Sequence, residues 1–293
     1  MANIVPQTPQ RETEMPVNWY PGHMHKASKE LAKLFKDTAL FLEILDARFP
    51  AASSNPLRAE LHESMPSIRI LNKTDLADKD ATTRWQEYFA AQQQSSCLLS
   101  GRDTPLSRSA LVREAERLVS HAGENQIRQK QIVIAGVPNV GKSSLLNTWC
   151  GRKLAKTGNE AAITRQAQRI HLQDSWYLVD TPGMLWPKLV DQDAANLLAA
   201  FGCIRPGAID EEEVALQLAG RLLGSHGELL QARYSLAGLP ATALELLGII
   251  ARQRGALRYD EPDLHRVAPL FLGDLNSGRL GPITMELPPS KPE

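Results

Sequence analysis

The sequence predicts an α/β protein: a doubly wound, mostly parallel sheet followed by a small C-terminal helical domain. Three observations carry that expectation. Short apolar runs of strand length alternate with longer amphipathic stretches, the pattern of βαβ units. The segments richest in Gly, Asn, Asp and Lys stand directly after those runs, where open parallel sheets bind their ligands. After Arg205-Pro206-Gly207 the alternation stops, and Leu- and Ala-rich helical patterns take over.

Taken in order, residues 1–16 are rich in Pro, Gln and Glu and are expected to be disordered. A helix is predicted over residues 26–36, with Leu31, Leu34 and Phe35 on its apolar face. Residues 39–45 read as a buried strand ending in Asp46-Ala47-Arg48, and residues 67–71 as a second strand. Residues 97–99 form a third, ending in Ser100-Gly101-Arg102, with amphipathic helices over 80–93 and 105–120. Residues 131–135 are a strand that feeds a glycine-rich loop and a helix over 142–149. Residues 170–172 and 176–179 read as a hairpin pair. Residues 208–275 read as several helices, broken at Gly224, at Gly238-Leu239-Pro240 and at Pro262.

Composition narrows the class. The 293 residues suit one nucleotide-sized α/β domain plus a smaller one. Net charge is zero and the pI is about 7.1, so composition lends no support to binding dominated by phosphate-backbone contacts. No apolar run approaches a membrane span, and the polar, acid-bearing N-terminus resembles neither a signal nor a transit peptide. Cys97, Cys150 and Cys203 stand apart without metal-ligand spacing and read as reduced structural cysteines of a cytoplasmic protein. The histidines show no metal spacing either.

The loops carry the chemistry. Gly136-Val137-Pro138-Asn139-Val140-Gly141-Lys142-Ser143 is a phosphate loop between a strand and a helix. Its glycines let backbone N–H groups from Asn139 to Ser144 turn onto phosphates, Lys142 neutralises them, and the Ser143 hydroxyl holds Mg2+. Asp180-Thr181-Pro182-Gly183 follows an apolar strand. Asp180 suits Mg2+, and the Gly183 N–H suits sensing of a γ-phosphate. Asn72-Lys73-Thr74-Asp75 matches guanine: the Asp75 carboxylate can accept from both N1–H and the exocyclic amine, which adenine cannot offer. Asn72 supports the loop, and the Lys73 stem covers the ring. The competing reading makes Asp75 a helix cap on a plain strand-to-helix turn. Ser100-Gly101 would complete the base pocket through backbone amides.

Other positions keep two readings. Thr164 is either a switch threonine that completes Mg2+ coordination or a solvent-facing loop residue. Asn139 either coordinates a monovalent cation such as K+ beside the phosphates or supports its loop. His23, in a Pro-Gly turn flanked by aromatics, reads from the residues alone as packing. The stripe His25, Lys26, Lys29, Lys33 and Lys36 is a solvated helix face or a phosphate contact. Met184 follows the DxxG segment where Ras-like enzymes place a water-orienting Gln, so slow intrinsic turnover is expected.

Ras-type domains run phosphate loop, DxxG, then NKxD. Here NKxD comes about sixty residues before the phosphate loop, so the fold class is a circularly permuted Ras-like P-loop GTPase domain. That order, with Trp19-Tyr20-Pro21-Gly22-His23-Met24-His25-Lys26-Ala27, Asp46-Ala47-Arg48-Phe49-Pro50, Ser53-Ser54-Asn55-Pro56 and the DTPGMLWPK run from Asp180, resembles the YlqF/RbgA family of permuted ribosome biogenesis GTPases. The likeness covers roughly residues 17–280.

The resemblance implies a permuted GTPase domain over 17–204 and a helical domain over 205–287, between a tail at 1–16 and one at 288–293. It implies GTP hydrolysis with Mg2+ coupled to late maturation of the large ribosomal subunit, with rRNA and ribosomal proteins as partners, no membrane, and a monomeric protein. It makes His23 a candidate catalytic group, and Met184 matches the family's hydrophobic residue. Two segments depart from the family: Ala161-Ala162-Ile163-Thr164 lacks the usual Pro-Gly before the threonine, and Ser100-Gly101 replaces Ser-Ala. Two rival functions compete. One is a nucleotide-gated rRNA-binding placeholder in which hydrolysis is incidental. The other is a P-loop ATPase or small-molecule kinase with a coincidental NKTD.

Overall fold

The computed structural model describes residues 38–54, 65–121, 130–151, 168–180, 192–204, 207 and 209–289. Six strands make the main sheet: β1 (Leu40–Asp46), β2 (Ser67–Asn72), β3 (Ser95–Leu99), β4 (Gln131–Ala135), β5 (Gln168–His171) and β6 (Tyr177–Asp180). Their order is β3-β2-β1-β4-β6-β5, parallel except that β5 runs antiparallel to β6. The hairpin expected near residue 174 is therefore present. β1 is buried along its whole length, as a central strand covered on both faces must be. Its one charged interior residue, Glu43, is matched by buried Arg69 on β2, with 3.3 Å between the charged groups.

The chain winds outward from β1 through β2 and β3, then returns to the other side of β1 with β4. This reversal between β1 and β4 is the switch point at which such sheets open a crevice at their strand C-termini. Register brings the loops level: Asp46 pairs with Asn72, Leu71 with Leu99, and Ile134 with Asp180.

Helices α1 (Pro50–Ser53), α2 (Lys79–Ala90), α3 (Arg108–His121) and α4 (Lys142–Cys150) follow β1 to β4. A second set follows β6: α5 (Gln192–Ala200), α6 (Glu211–Ser225), α7 (Gly227–Tyr234), α8 (Ala243–Arg254) and α9 (Leu264–Asn276). Their starts follow side-chain chemistry. Asp210 and Asp263 cap α6 and α9, and Thr242 with Glu245 forms a capping box on α8. The break expected at Gly224 falls two residues on, at His226, where α6 ends and α7 begins. Around Pro262 the expected break is a small hairpin, β7 (Leu257–Arg258) and β8 (Glu261–Pro262).

One buried apolar cluster runs from the sheet (Leu40, Ile134) into the later helices (Leu218, Leu246, Phe271). Residues 283–286 lie along the segments that follow β1 and β2. The Ile283 N–H donates to Leu76 O and the Met285 N–H to Arg48 O, while Trp85 Nε1 donates to Glu286 O. Cys97 and Cys203 are buried free thiols, each pushed up to about 12 by burial, and so stay neutral. Among the described residues no helix is long and apolar enough to cross a membrane.

Candidate functional site

The phosphate loop leaves β4 through two glycines that nothing else could replace. A Cβ on Gly136 would lie 2.9 Å from the Ile44 carbonyl of β1. Gly141 has φ +95, and a Cβ there would lie 2.2 Å from Asn72 Nδ2. Between them Val140 is fully buried and pins the loop to the core. The Asn72–Asp75 loop braces it from the other side. Asn72 Nδ2 donates to Val140 O at 2.7 Å, and Lys73 Nζ donates to Asn139 O at 2.6 Å. Asn139, at φ 63, donates its side-chain amide to Gly202 O just beyond α5.

β2 runs into this loop through Lys73 in the left-handed region and a 3-10 turn, Thr74–Leu76. The helix-cap reading of Asp75 is not what the chain does. Asp78 caps α2, its carboxylate accepting the Ala81 N–H at 2.7 Å. Asp75 Oδ1 instead accepts the Arg102 N–H at 2.9 Å, in the loop after β3. Ser100 joins both loops: its N–H donates to Leu71 O, its carbonyl accepts from Thr74 N–H, and its Oγ accepts from Leu106 N–H. A Cβ on Gly101 would lie 2.7 Å from Thr74 Oγ1 and 3.1 Å from Asp75 Oδ1. The Ser-Gly pair is thus matched to Thr74, whose hydroxyl takes the space an alanine methyl would need.

At the other flank, Lys142 opens α4 and forms a buried ion pair with Asp180 at the end of β6. Ser143 stands half-buried in the first turn of α4. A carboxylate and a hydroxyl beside a lysine and a helix N-terminus form a hard-oxygen, cation-bearing set, which fits Mg2+ with phosphate oxygens. Asn72, Lys73, Asp75, Ser100, Gly101, Asn139, Val140, Gly141, Lys142, Ser143, Ser144 and Asp180 all lie at this end of the sheet. His23, Thr164, Gly183, Met184 and the N-terminal basic stripe lie outside the described residues.

Sequence reasoning missed one group. Asp46, at the end of β1, is fully buried and accepts Arg48 Nε at 2.8 Å and Nη2 at 2.7 Å, with Lys73 Nζ 2.8 Å away. Burial pushes its carboxyl up, but the charges of Lys73 and Arg48 more than offset this and hold it at about 2. The Arg48 guanidinium sits 4.4 Å above the Phe201 ring, and its Nη1 reaches Asn276 O at 3.5 Å at the end of α9. The same residues that hold Lys73 therefore also touch the C-terminal helices. The segment Asp46-Ala47-Arg48 was visible, but an aspartate and an arginine two apart carry no signal of a shared third partner.

Known proteins agree with this architecture. The family described as 50S ribosome-binding GTPase matches residues 131–217. The chain is 32% identical to Ribosome biogenesis GTPase A of Bacillus pumilus, covering 94% of this chain and all of that protein. It is 29% identical to Mitochondrial ribosome-associated GTPase 1 of Mus musculus, over 92% and 89% of the two chains. The crystal structure of GNP-bound YlqF from T. maritima superimposes with a TM-score of 0.62 at 23% identity, over 89% of this chain and 98% of that one, a likeness of fold.

Proposed function

This chain belongs to the ribosome biogenesis GTPase A (YlqF/RbgA) family, GTP-hydrolysing assembly factors for ribosome maturation, and we propose that its client is the large ribosomal subunit. The observation that carries the reading is the bracing of the guanine-reading loop on the phosphate loop, with one shared buried anchor, Asp46–Arg48, that also touches the C-terminal helices. A change at the nucleotide is then felt in the part of the chain free to meet a partner.

In this reading Asp75, Ser100 and Gly101 select guanine, and Asn72 and Lys73 position that loop. Residues 139–144 hold the phosphates, and Gly183 senses the γ-phosphate. Ser143, Thr164 and Asp180 hold Mg2+, which when bound neutralises phosphate charge. Lys142, paired with Asp180, exchanges that partner for phosphate oxygens. The Asn139 amide ties its loop to Gly202, which supports its role as a brace, and K+ coordination would fall to its remaining oxygen. His23 activates water, as Met184 has no group to do so. The chain divides at residue 204 into a GTPase part (17–204) and a helical part (205–287), works as a monomer in the cytoplasm, and docks on rRNA and ribosomal proteins.

GTP turnover by the purified protein, alone and with large or small subunits, tests this. Strong stimulation by large subunits only is expected, and His23→Ala should keep GTP binding while losing that stimulation. Equal rates in all three conditions would detach the GTPase from the large subunit. Full assembly support by a hydrolysis-dead variant would instead favour the placeholder reading.

A further inference from the structure

In the helical part, three arginines converge on one carboxylate. Asp274 of α9 is buried; its Oδ2 accepts Arg233 Nε at 2.9 Å, Arg254 Nη2 at 3.2 Å and the Tyr234 hydroxyl at 3.3 Å, and its Oδ1 accepts Arg279 Nη1 at 3.2 Å. Arg233 and Tyr234 both meet Oδ2, and among the described contacts Arg279 is the partner of Oδ1. Together the arginines leave one negative charge facing three positive ones, in a chain whose net charge is zero.

That surplus points outward. Side-chain exposure rises from 25% at Arg233 to 40% at Arg254 and 61% at Arg279. The outer two line a pocket of about 190 Å3 between α8 and α9. Arg254 lies in the last turn of α8, whose negative end helps to hold it, and Arg279 follows the end of α9. Among the described residues, no acid besides Asp274 pairs with Arg254 or Arg279.

Immediately after Arg254 the β7–β8 hairpin projects Tyr259, which is 89% exposed, with Arg258 lying 5.6 Å from its ring centre. Tyr259 and Asp260 both have positive φ, the two-residue hairpin turn that Gly, Asn and Asp prefer. A bulky residue is uncommon there. Five residues of chain keep Tyr259 within about 18 Å of Arg254. The hairpin itself carries Asp260 and Glu261 against Arg258, so it offers a ring rather than a positive surface.

We propose that the Arg254–Arg279 pocket binds a phosphate of an RNA backbone, with Tyr259 stacking on a base of the same strand. Arginine forks match phosphate oxygens in geometry and charge, and exposed rings are the usual platforms for unpaired bases. A free phosphorylated small molecule shares the phosphate chemistry but leaves the tyrosine without a role. The inference goes beyond the GTPase reading and rests on it only for the source of the RNA.

The test uses the full chain carrying Arg254→Gln with Arg279→Gln, which leaves Arg233 and Tyr234 on Asp274. Anisotropy of a labelled single-stranded RNA is followed across salt concentrations. Affinity is expected to fall about tenfold or more, and the log–log salt slope to drop by about 0.7 for the one lost phosphate contact. Tyr259→Ala should lose about tenfold with the slope unchanged. If the double variant does not fold, Arg279→Gln alone is expected to lower RNA affinity roughly threefold, half of the double variant's effect on a logarithmic scale.

Unchanged RNA affinity and slope with a lowered melting temperature would make the cluster a structural tie and overturn the proposal. Loss of inorganic pyrophosphate binding with RNA binding intact would assign the pocket to a free ligand and overturn it equally. Basal GTP turnover should not change in any of these variants. If wild type binds RNA through the pocket yet ignores large subunits in turnover, the assembly reading fails and this one stands.

Discussion

Two buried aspartates, Asp46 and Asp274, solve the same problem in opposite ways. Asp46 accepts from one arginine and a lysine, Asp274 from three arginines and a tyrosine, since a buried carboxylate needs such partners. Around Asp46 the group is sealed: Arg48 is 2% exposed, lies on the Phe201 ring, and has its carbonyl taken by Met285 N–H. Around Asp274 the arginines become progressively more exposed toward a pocket. The sealed cluster can only transmit force between its neighbours, Lys73 and the C-terminal helices. The open one retains donors that can meet something from outside. Burial, rather than residue type, separates a brace from a reading surface.

The largest effect expected is at the sealed end. Asp46→Asn leaves Arg48 and Lys73 without their carboxylate and should destabilise the fold by about 3–5 kcal/mol. Because Lys73 also loses its anchor, GDP affinity should fall with it. Urea unfolding and fluorescent GDP titration on one preparation would read both, and an unchanged unfolding midpoint would refute the brace.

Acid should reach the same cluster next. The folded pKa of Asp46 lies at about 2, below its ordinary value of 3.8, so its contribution is present above pH 4. It is lost as pH falls from about 4 through 2. From the shift it is worth about 2 kcal/mol. Stability of wild type and Asp46→Asn measured against pH should converge by that amount over this window, and parallel curves would contradict the assignment.

Asp274→Asn should cost less, about 1–2 kcal/mol, since its orphaned arginines can turn to water. A loss equal to that of Asp46→Asn would erase the contrast between the clusters. The smallest expected change is local. Gly101→Ala should weaken GTP binding about tenfold through the Thr74 hydroxyl, at little cost in stability. Adding Thr74→Ala should restore most of it, because the clash is then gone. Additive losses in that pair would mean that the methyl meets Asp75 instead.

Much of this was legible in the chain. Strand ends, the glycine-rich turn and the NKTD run are local signals, in which the residues that bear the chemistry adjoin the elements that place them. The β7–β8 hairpin was hidden because a two-residue strand has no periodicity to show. Asp75 and Asp78 compete for one cap, and their choice turns on Arg102, which arrives from another strand. Nor could composition announce that residues 283–286 return to lie against Leu76, Arg48 and Trp85.

By itself, then, the sequence determined the order of the loops, the permutation they imply, and the phosphate and guanine chemistry proposed for them, because each motif is made of residues only a few positions apart. Tertiary structure alone decided which charges share a carboxylate, that Lys73 and Arg48 meet on Asp46, and that Arg254 and Arg279 face a pocket. Those outcomes depend on desolvation and on partners far away in the chain, and neither is written in the spacing of neighbouring residues.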